Sequence, residues 1–137
     1  MVAWGSIDRM SKYEIEVQVL PEYLPEQSQP EKELFSFSYT ILVANRGEVP
    51  AQLIARHWVI KDALGHVQEV KGLGVVGEQP LLKPGEAFQY FSGCQLRTPS
   101  GTMEGSYFCV AEDGERFDVP IPMFVLQAES ERPTYLH

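Results

Sequence analysis

The sequence has no block of lysine or arginine, and that absence is the first constraint on its function. Basic residues number 11 against 19 acidic ones, a formal net charge of −8. A polyphosphate backbone repels such a surface, and no local basic cluster offsets the repulsion, so nucleic acid is not an expected partner. Anionic membrane surfaces are disfavoured by the same field. There is no apolar run near the roughly 18 residues needed to span a bilayer. Asp8 and Arg9 interrupt the start of the chain before a signal-peptide core can form. No membrane association is expected, and the expected location is cytoplasmic.

Cysteine and histidine are scarce. Cys94 and Cys109 are the only cysteines. One conceivable bridge is no disulfide framework, so both are expected as buried thiols acting as small apolar residues. The histidines are His57, His66 and His137. No His-x-His, His-Glu-x-x-His or Cys-x-x-Cys spacing occurs, so no preformed metal site is expected. There is no Gly-x-Ser-x-Gly elbow for a nucleophilic serine. Cys109 sits between Phe108 and Val110, where a thiol is buried and inert. Cys94 is the more accessible of the two but has no histidine near it in sequence. No catalytic residue and no cofactor are expected, and the chain is read as a non-enzyme.

What the chain has is aromatics, glycine and proline. It carries 7 Phe, 6 Tyr and 2 Trp within 137 residues, enough for one domain with an unstapled core. Its 11 Gly and 10 Pro are too many for a helical bundle and suit short strands joined by tight turns.

Period-two patterning follows. Tyr13, Ile15, Val17 and Val19 alternate with Glu14, Glu16 and Gln18, which marks a half-buried strand with a solvated face, suited to a sheet edge. Residues 21–33 hold three prolines and many Glu and Gln, as a loop would. Phe35, Phe37, Tyr39, Ile41 and Val43 alternate with small polar residues. Residues 51–60 are apolar on both faces, the pattern of a central strand. Short strands are expected over 67–71 and 87–92, and a further one over 102–111. Residues 112–115 form a hairpin tip with an Asp-Gly step, leading into 116–121. Residues 124–126 end the series. The tight turns fall at 45–47, 62–65, 83–86 and 98–101.

Seven to nine strands and no helix predict an all-β antiparallel sandwich. Trp58 is the candidate inter-sheet tryptophan. Both cysteines follow it, so the Cys…Trp…Cys order of antibody domains is absent, and a fibronectin type III-like sandwich fits better than an immunoglobulin one. Residues 1–11 lack periodicity and are expected as a loose N-terminal extension before a domain over 12–137.

The motifs are distinctive together. They include Arg56-x-Trp58, then Gly72-x-Gly74-Val75-Val76-Gly77-x-Gln79-Pro80, Pro84-Gly85-Glu86 and Tyr90-x-Ser92-Gly93. Further along stand Thr98-Pro99-x-Gly101-Thr102-Met103-x-Gly105-x-Tyr107, Ile121-Pro122-x-Phe124-x-Leu126 and Leu136-His137. From about Tyr13 onward the chain resembles the ApaG family of small bacterial proteins. That resemblance implies a fibronectin type III-like β-sandwich and no established enzyme activity. It implies a link to cobalt tolerance and magnesium efflux, and a gene neighbour that hydrolyses diadenosine tetraphosphate. Similar domains in eukaryotes are attached to F-box proteins and to a DNA-polymerase-interacting protein, where they look like protein–protein interaction modules. A protein partner is therefore expected.

One segment invites a second reading. Gly72-x-Gly74-x-x-Gly77 has the letters of a dinucleotide fingerprint, in which a helix must begin at the last glycine. Pro80 and Pro84 leave no room for that helix. Without one, a glycine-rich loop can still gather backbone N–H groups around an anion. The candidate phosphate- or nucleotide-binding residues are thus Gly72, Gly74, Gly77, Lys71 and Arg56. The plainer expectation is that these glycines permit a bulge or unusual turn.

Overall fold

A computed structural model describes residues 12–128. Within them the strands are β1 (Ile15–Tyr23), β2 (Phe35–Asn45), β3 (Ala51–Asp62) and β4 (Val67–Leu73). They continue as β5 (Leu81–Leu82), β6 (Ala87–Leu96), β7 (Ser100–Ala111) and β8 (Arg116–Gln127). Short 3₁₀ turns at Pro25–Gln27 and Pro30–Lys32 fill the link from β1 to β2. No α-helix stands among these elements. The expected extension over residues 1–11 lies outside the described residues.

Two antiparallel sheets form the layers. One has the order β1-β2-β6; the other runs β4-β3-β7-β8, with β5 pairing beside β4 on the same side of β3. The inward-facing residues of each strand meet between the layers. Phe37, Ile41 and Val43 come from β2, Trp58 and Ile60 from β3, Met103 and Tyr107 from β7, and Ile121 and Leu126 from β8. Each large side chain fully buried there contributes about 1.5–3 kcal/mol. Trp58 is 3% exposed, with Tyr39 at 5.5 Å and Phe124 edge-on at 6.0 Å between ring centres. This is the inter-sheet tryptophan that the sequence predicted.

Strand ends depart from the sequence reading where proline was taken as a terminator. β1 runs through Pro21 to Tyr23. The Leu24 N–H donates to Ser36 and the Arg46 N–H to Glu14, so the even-numbered residues of β1 bond β2. Pro21 therefore turns its nitrogen, which has no hydrogen to donate, to the free edge and costs no ladder bond. The segments expected over 116–121 and 124–126 form one strand, β8, on the edge of the other sheet, running through Pro122. The pairing of β7 with β8 slips between Met103 and Gly105, which absorbs the irregular Pro122 region. β4 extends to Leu73, so Gly72 is a strand residue rather than a loop residue. β7 begins at Ser100, inside the predicted turn, and β5 had no sequence signal.

Candidate functional site

The glycine-rich segment folds back on itself. The Val75 N–H donates to the Glu78 carbonyl at 2.8 Å, and the Glu78 N–H returns to Val75 at 2.9 Å. Val76 and Gly77 occupy the corner with φ of 43° and 83°, the signature of a type I′ turn. No helix begins at Gly77; β5 follows at Leu81. Gly74 lies in left-handed backbone at φ 66°, and a side chain there would collide with the Glu78 carbonyl. Its N–H is spent on the Ile54 carbonyl at 2.7 Å. The three glycines thus do three different things: Gly72 lies in a strand, Gly74 makes a close approach, and Gly77 completes the turn.

Arg56 ties this segment to the sandwich. It shares the inner face of β3 with Trp58 and Ile60 and stands opposite Gly72 of β4. A Cβ at Gly72 would lie 2.8 Å from the guanidinium, so the missing side chain is the space the guanidinium fills. Arg56 Nη1 donates to the carbonyls of Leu73 at 3.0 Å and Gly74 at 2.9 Å. Among the described residues no carboxylate pairs with Arg56; the ion pairs involve Lys12, Arg46, His57 and His66.

Of the predicted site residues, the fold therefore gathers Arg56, Gly72 and Gly74, and sets Gly77 on the wall of the same cavity. Lys71 stands opposite His57 on the outer face of the sheet. It lines a second groove, of about 570 Å³, together with Arg56 and Gly72.

The other feature is the open side between β4 and β6, the edges of the two sheets. One cavity of about 290 Å³ lies between Arg56, Tyr90 and Val76. Another of about 510 Å³ continues past Trp58, Ser92 and Cys94 toward Gln68. Arg56 and Tyr39 line both. Tyr90 and Tyr107 exchange a buried hydroxyl–hydroxyl hydrogen bond of 2.5 Å at the floor. Burial pushes the Tyr90 phenol up to about 12 and raises that of Tyr107 further. It also lifts the Cys94 thiol to about 11 and the Cys109 thiol to about 12. Both cysteines are free. Neither has the lowered pKa that would make it a nucleophile.

The sequence could not point to this cleft, because Tyr39, Arg56, Tyr90 and Ser92 come from three strands far apart in the chain. Alternation marks each as inward-facing, but only the sheet order brings them to one open side.

The remaining candidates are local pairs. His57 Nε2 meets Glu69 at 2.5 Å on the outer face, and His66 Nδ1 meets its own turn residue Asp62 at 3.2 Å. Asp113 at the hairpin tip accepts from the Tyr13 hydroxyl at 2.7 Å. His137 lies outside the described residues. Among the described residues no three His, Cys, Asp or Glu side chains gather as a metal ion would require. No helix among them is long and apolar enough to cross a membrane.

Known proteins resemble this chain in sequence and fold. The family model described as the ApaG domain matches residues 25–111, which hold the cleft. A protein named ApaG from Acidovorax sp. is 66% identical over 87% of this chain and 87% of its own length. The ApaG protein of Dechloromonas aromatica is 58% identical over 93% of this chain and 97% of its own. The crystal structure of a Bordetella pertussis protein called ApaA is 55% identical. It covers 85% of this chain and 95% of that chain, with a TM-score of 0.84. On this identity, coverage and shared architecture, the chain belongs to the ApaG domain family.

Proposed function

We propose that the protein is a non-enzymatic binding module that engages another protein through its open β4–β6 side. The observation that carries this reading is the β6 edge beside the cleft. Strand β6 pairs with β2 on one side and, among the described residues, has no strand on the other. Its ten residues, AFQYFSGCQL, contain no charge and no proline. Exposed edges normally carry such residues because unpaired N–H and C=O groups recruit other chains. The other edges do: Glu16, Pro21 and Glu22 on β1, Glu69 and Lys71 on β4, Asp118 and Pro120 on β8. An unguarded edge fits a surface kept free for a partner.

The link to cobalt and magnesium handling comes from the family resemblance alone. Acting through a protein partner, in the cytoplasm, accounts for such a link without a metal site of its own. A crosslinked pull-down from the native host tests the reading. Charged residues placed on the free edge, as in the double variant Gln89→Lys and Phe91→Lys, are expected to lose the partner. Retention of every partner by a folded variant rejects this side as the binding side.

A second reading keeps phosphate, pyrophosphate or a nucleotide on the Gly72–Gly77 segment. The observation that favours it is the Arg56 guanidinium, without a carboxylate beside it among the described residues, at the foot of that segment. Titration with pyrophosphate is then expected to shift the amide resonances of Gly72, Gly74 and Gly77. Amides unmoved at millimolar ligand reject it.

A further inference from the structure

We propose that β6 receives an extended acidic peptide as an added strand, and that Arg56 binds a carboxylate side chain of that peptide. This rests on the protein-binding reading and specifies the partner's chemistry.

The backbone of β6 fixes where such a strand would bond. The Asn45 N–H donates to the Glu86 carbonyl, so this position is a hydrogen-bonded pair of the β2–β6 ladder. Bonded and non-bonded pairs alternate along antiparallel strands. With Ala44 opposite Ala87 and Thr40 opposite Phe91, residues Phe88, Tyr90, Ser92 and Cys94 spend their backbone groups on β2. Those of Gln89, Phe91, Gly93 and Gln95 point to the free edge. They offer a run of donors and acceptors long enough for a short strand.

The facing edge, β4, carries Glu69 and Lys71 along its length. Arg56 reaches across Gly72 and occupies the carbonyls of Leu73 and Gly74 at the end of β4. Only that end of the edge is capped, and the cap carries a positive charge into the cleft. A strand laid on β6 would send alternate side chains inward, past Tyr39, Trp58 and Ser92, toward that charge. The volume there, about 510 Å³, accommodates them. Ser92 and Gly93 are the small residues on its β6 wall.

Charge selects the side chain. The guanidinium has five N–H donors. Nη1 contributes its own to the two carbonyls, and the hydrogens on Nε and Nη2 have no carboxylate beside them among the described residues. In a chain with 19 acidic residues, an inward-facing arginine left without one is complementary to an acid supplied from outside. A single guanidinium matches a single carboxylate. Lys71, the cation next to Gly72 in sequence, faces the opposite side of its sheet. Apolar residues two positions before and after the acid would pack on the aromatic walls.

Selection of random decapeptides displayed on phage against the intact protein tests this. The expected winners alternate apolar and polar residues around one Glu or Asp. Replacing that acid by its amide in a synthetic winner is expected to weaken binding at least tenfold, with no change made to the protein. Arg56→Gln is expected to produce a similar loss, and Phe91→Pro, which removes an outward N–H, to abolish binding. Bound peptide is expected to slow hydrogen exchange at Gln89, Phe91 and Gly93. Winners with no acid preference, binding indifferent to the acid-to-amide change, or no enrichment at all would each overturn the proposal. So would displacement of a winner by pyrophosphate at the affinity of its own binding, which favours the phosphate reading. Loss of the native partner in the edge-charged double variant, alongside acid-indifferent peptides, leaves the protein-binding reading standing while the carboxylate assignment falls.

Discussion

The guanidinium of Arg56 lies in the space that a side chain on Gly72 would occupy, 2.8 Å from where that Cβ would stand. The two residues are register partners on β3 and β4, so the glycine is a steric requirement of the arginine. Gly72→Val is expected to displace the guanidinium and to break its bonds to Leu73 and Gly74. The cost is about 1–3 kcal/mol, given that hydrogen bonds from charged donors are the stronger ones. Urea denaturation measures it. The double variant with Arg56→Ala should cost little more than Arg56→Ala alone, because the clash is then gone. Additive costs would separate the two residues.

Val76 holds a left-handed conformation that a β-branched residue resists. Type I′ turns favour Asn-Gly, and Gly77 already stands in second place. Val76→Asn is expected to raise stability by about 1 kcal/mol, or about 3 °C in Tm for a domain of this size. A lower Tm would mean that the exposed valine packs on something that this turn geometry does not reveal.

Stability is expected to fall in alkali as the buried phenols are forced to ionise. Tyr90 has a folded pKa of about 12 against an unfolded value of about 10. Below pH 10 both states hold the proton, so its contribution is fully present. Between pH 10 and 12 the unfolded chain releases it first, and stability is lost as pH rises, by about 3 kcal/mol across that window. Tyr107 shifts in the same direction. Urea midpoints measured from pH 9 to 12 should decline, and the decline should be shallower in Tyr90→Phe even though that variant is weaker at neutral pH.

Both thiols should be unreactive in the native protein. Cys94 at about 11 and Cys109 at about 12 hold almost no thiolate at pH 8. Ellman's reagent is expected to titrate neither until denaturant is added, and both afterwards. Rapid native labelling of Cys94 would show that the cleft opens to solvent.

Most of the architecture was legible before any coordinates. Alternation in 35–43 and the doubly apolar 51–60 stretch define a first-sheet strand and a central strand, because burial on one face or two leaves different patterns. The Asp-Gly step located the last hairpin. Prolines misled at Pro21 and Pro122, since a sequence does not say which backbone groups face a partner. Tertiary register turned the Pro21 nitrogen to a free edge and placed Pro122 at the slip between β7 and β8, where neither costs a ladder bond.

The site divides in the same way. The Gly72–Gly77 letters were visible, and the two later prolines already ruled out a helix behind them. That Arg56 stands over Gly72, while Lys71 faces away from it, follows from pairing between strands some fifteen residues apart in the chain.

Local chemistry along the chain determined the strands, the turns and the family, because period-two burial and turn residues act over a few neighbours. The sheet order decided the rest. Placing β6 and β4 at facing edges created the cleft, left one edge without charge or proline, and brought an arginine without a carboxylate beside it among the described residues to the opening. No short-range pattern encodes which two edges will face each other, since that is set by the packing of two whole layers over a common core.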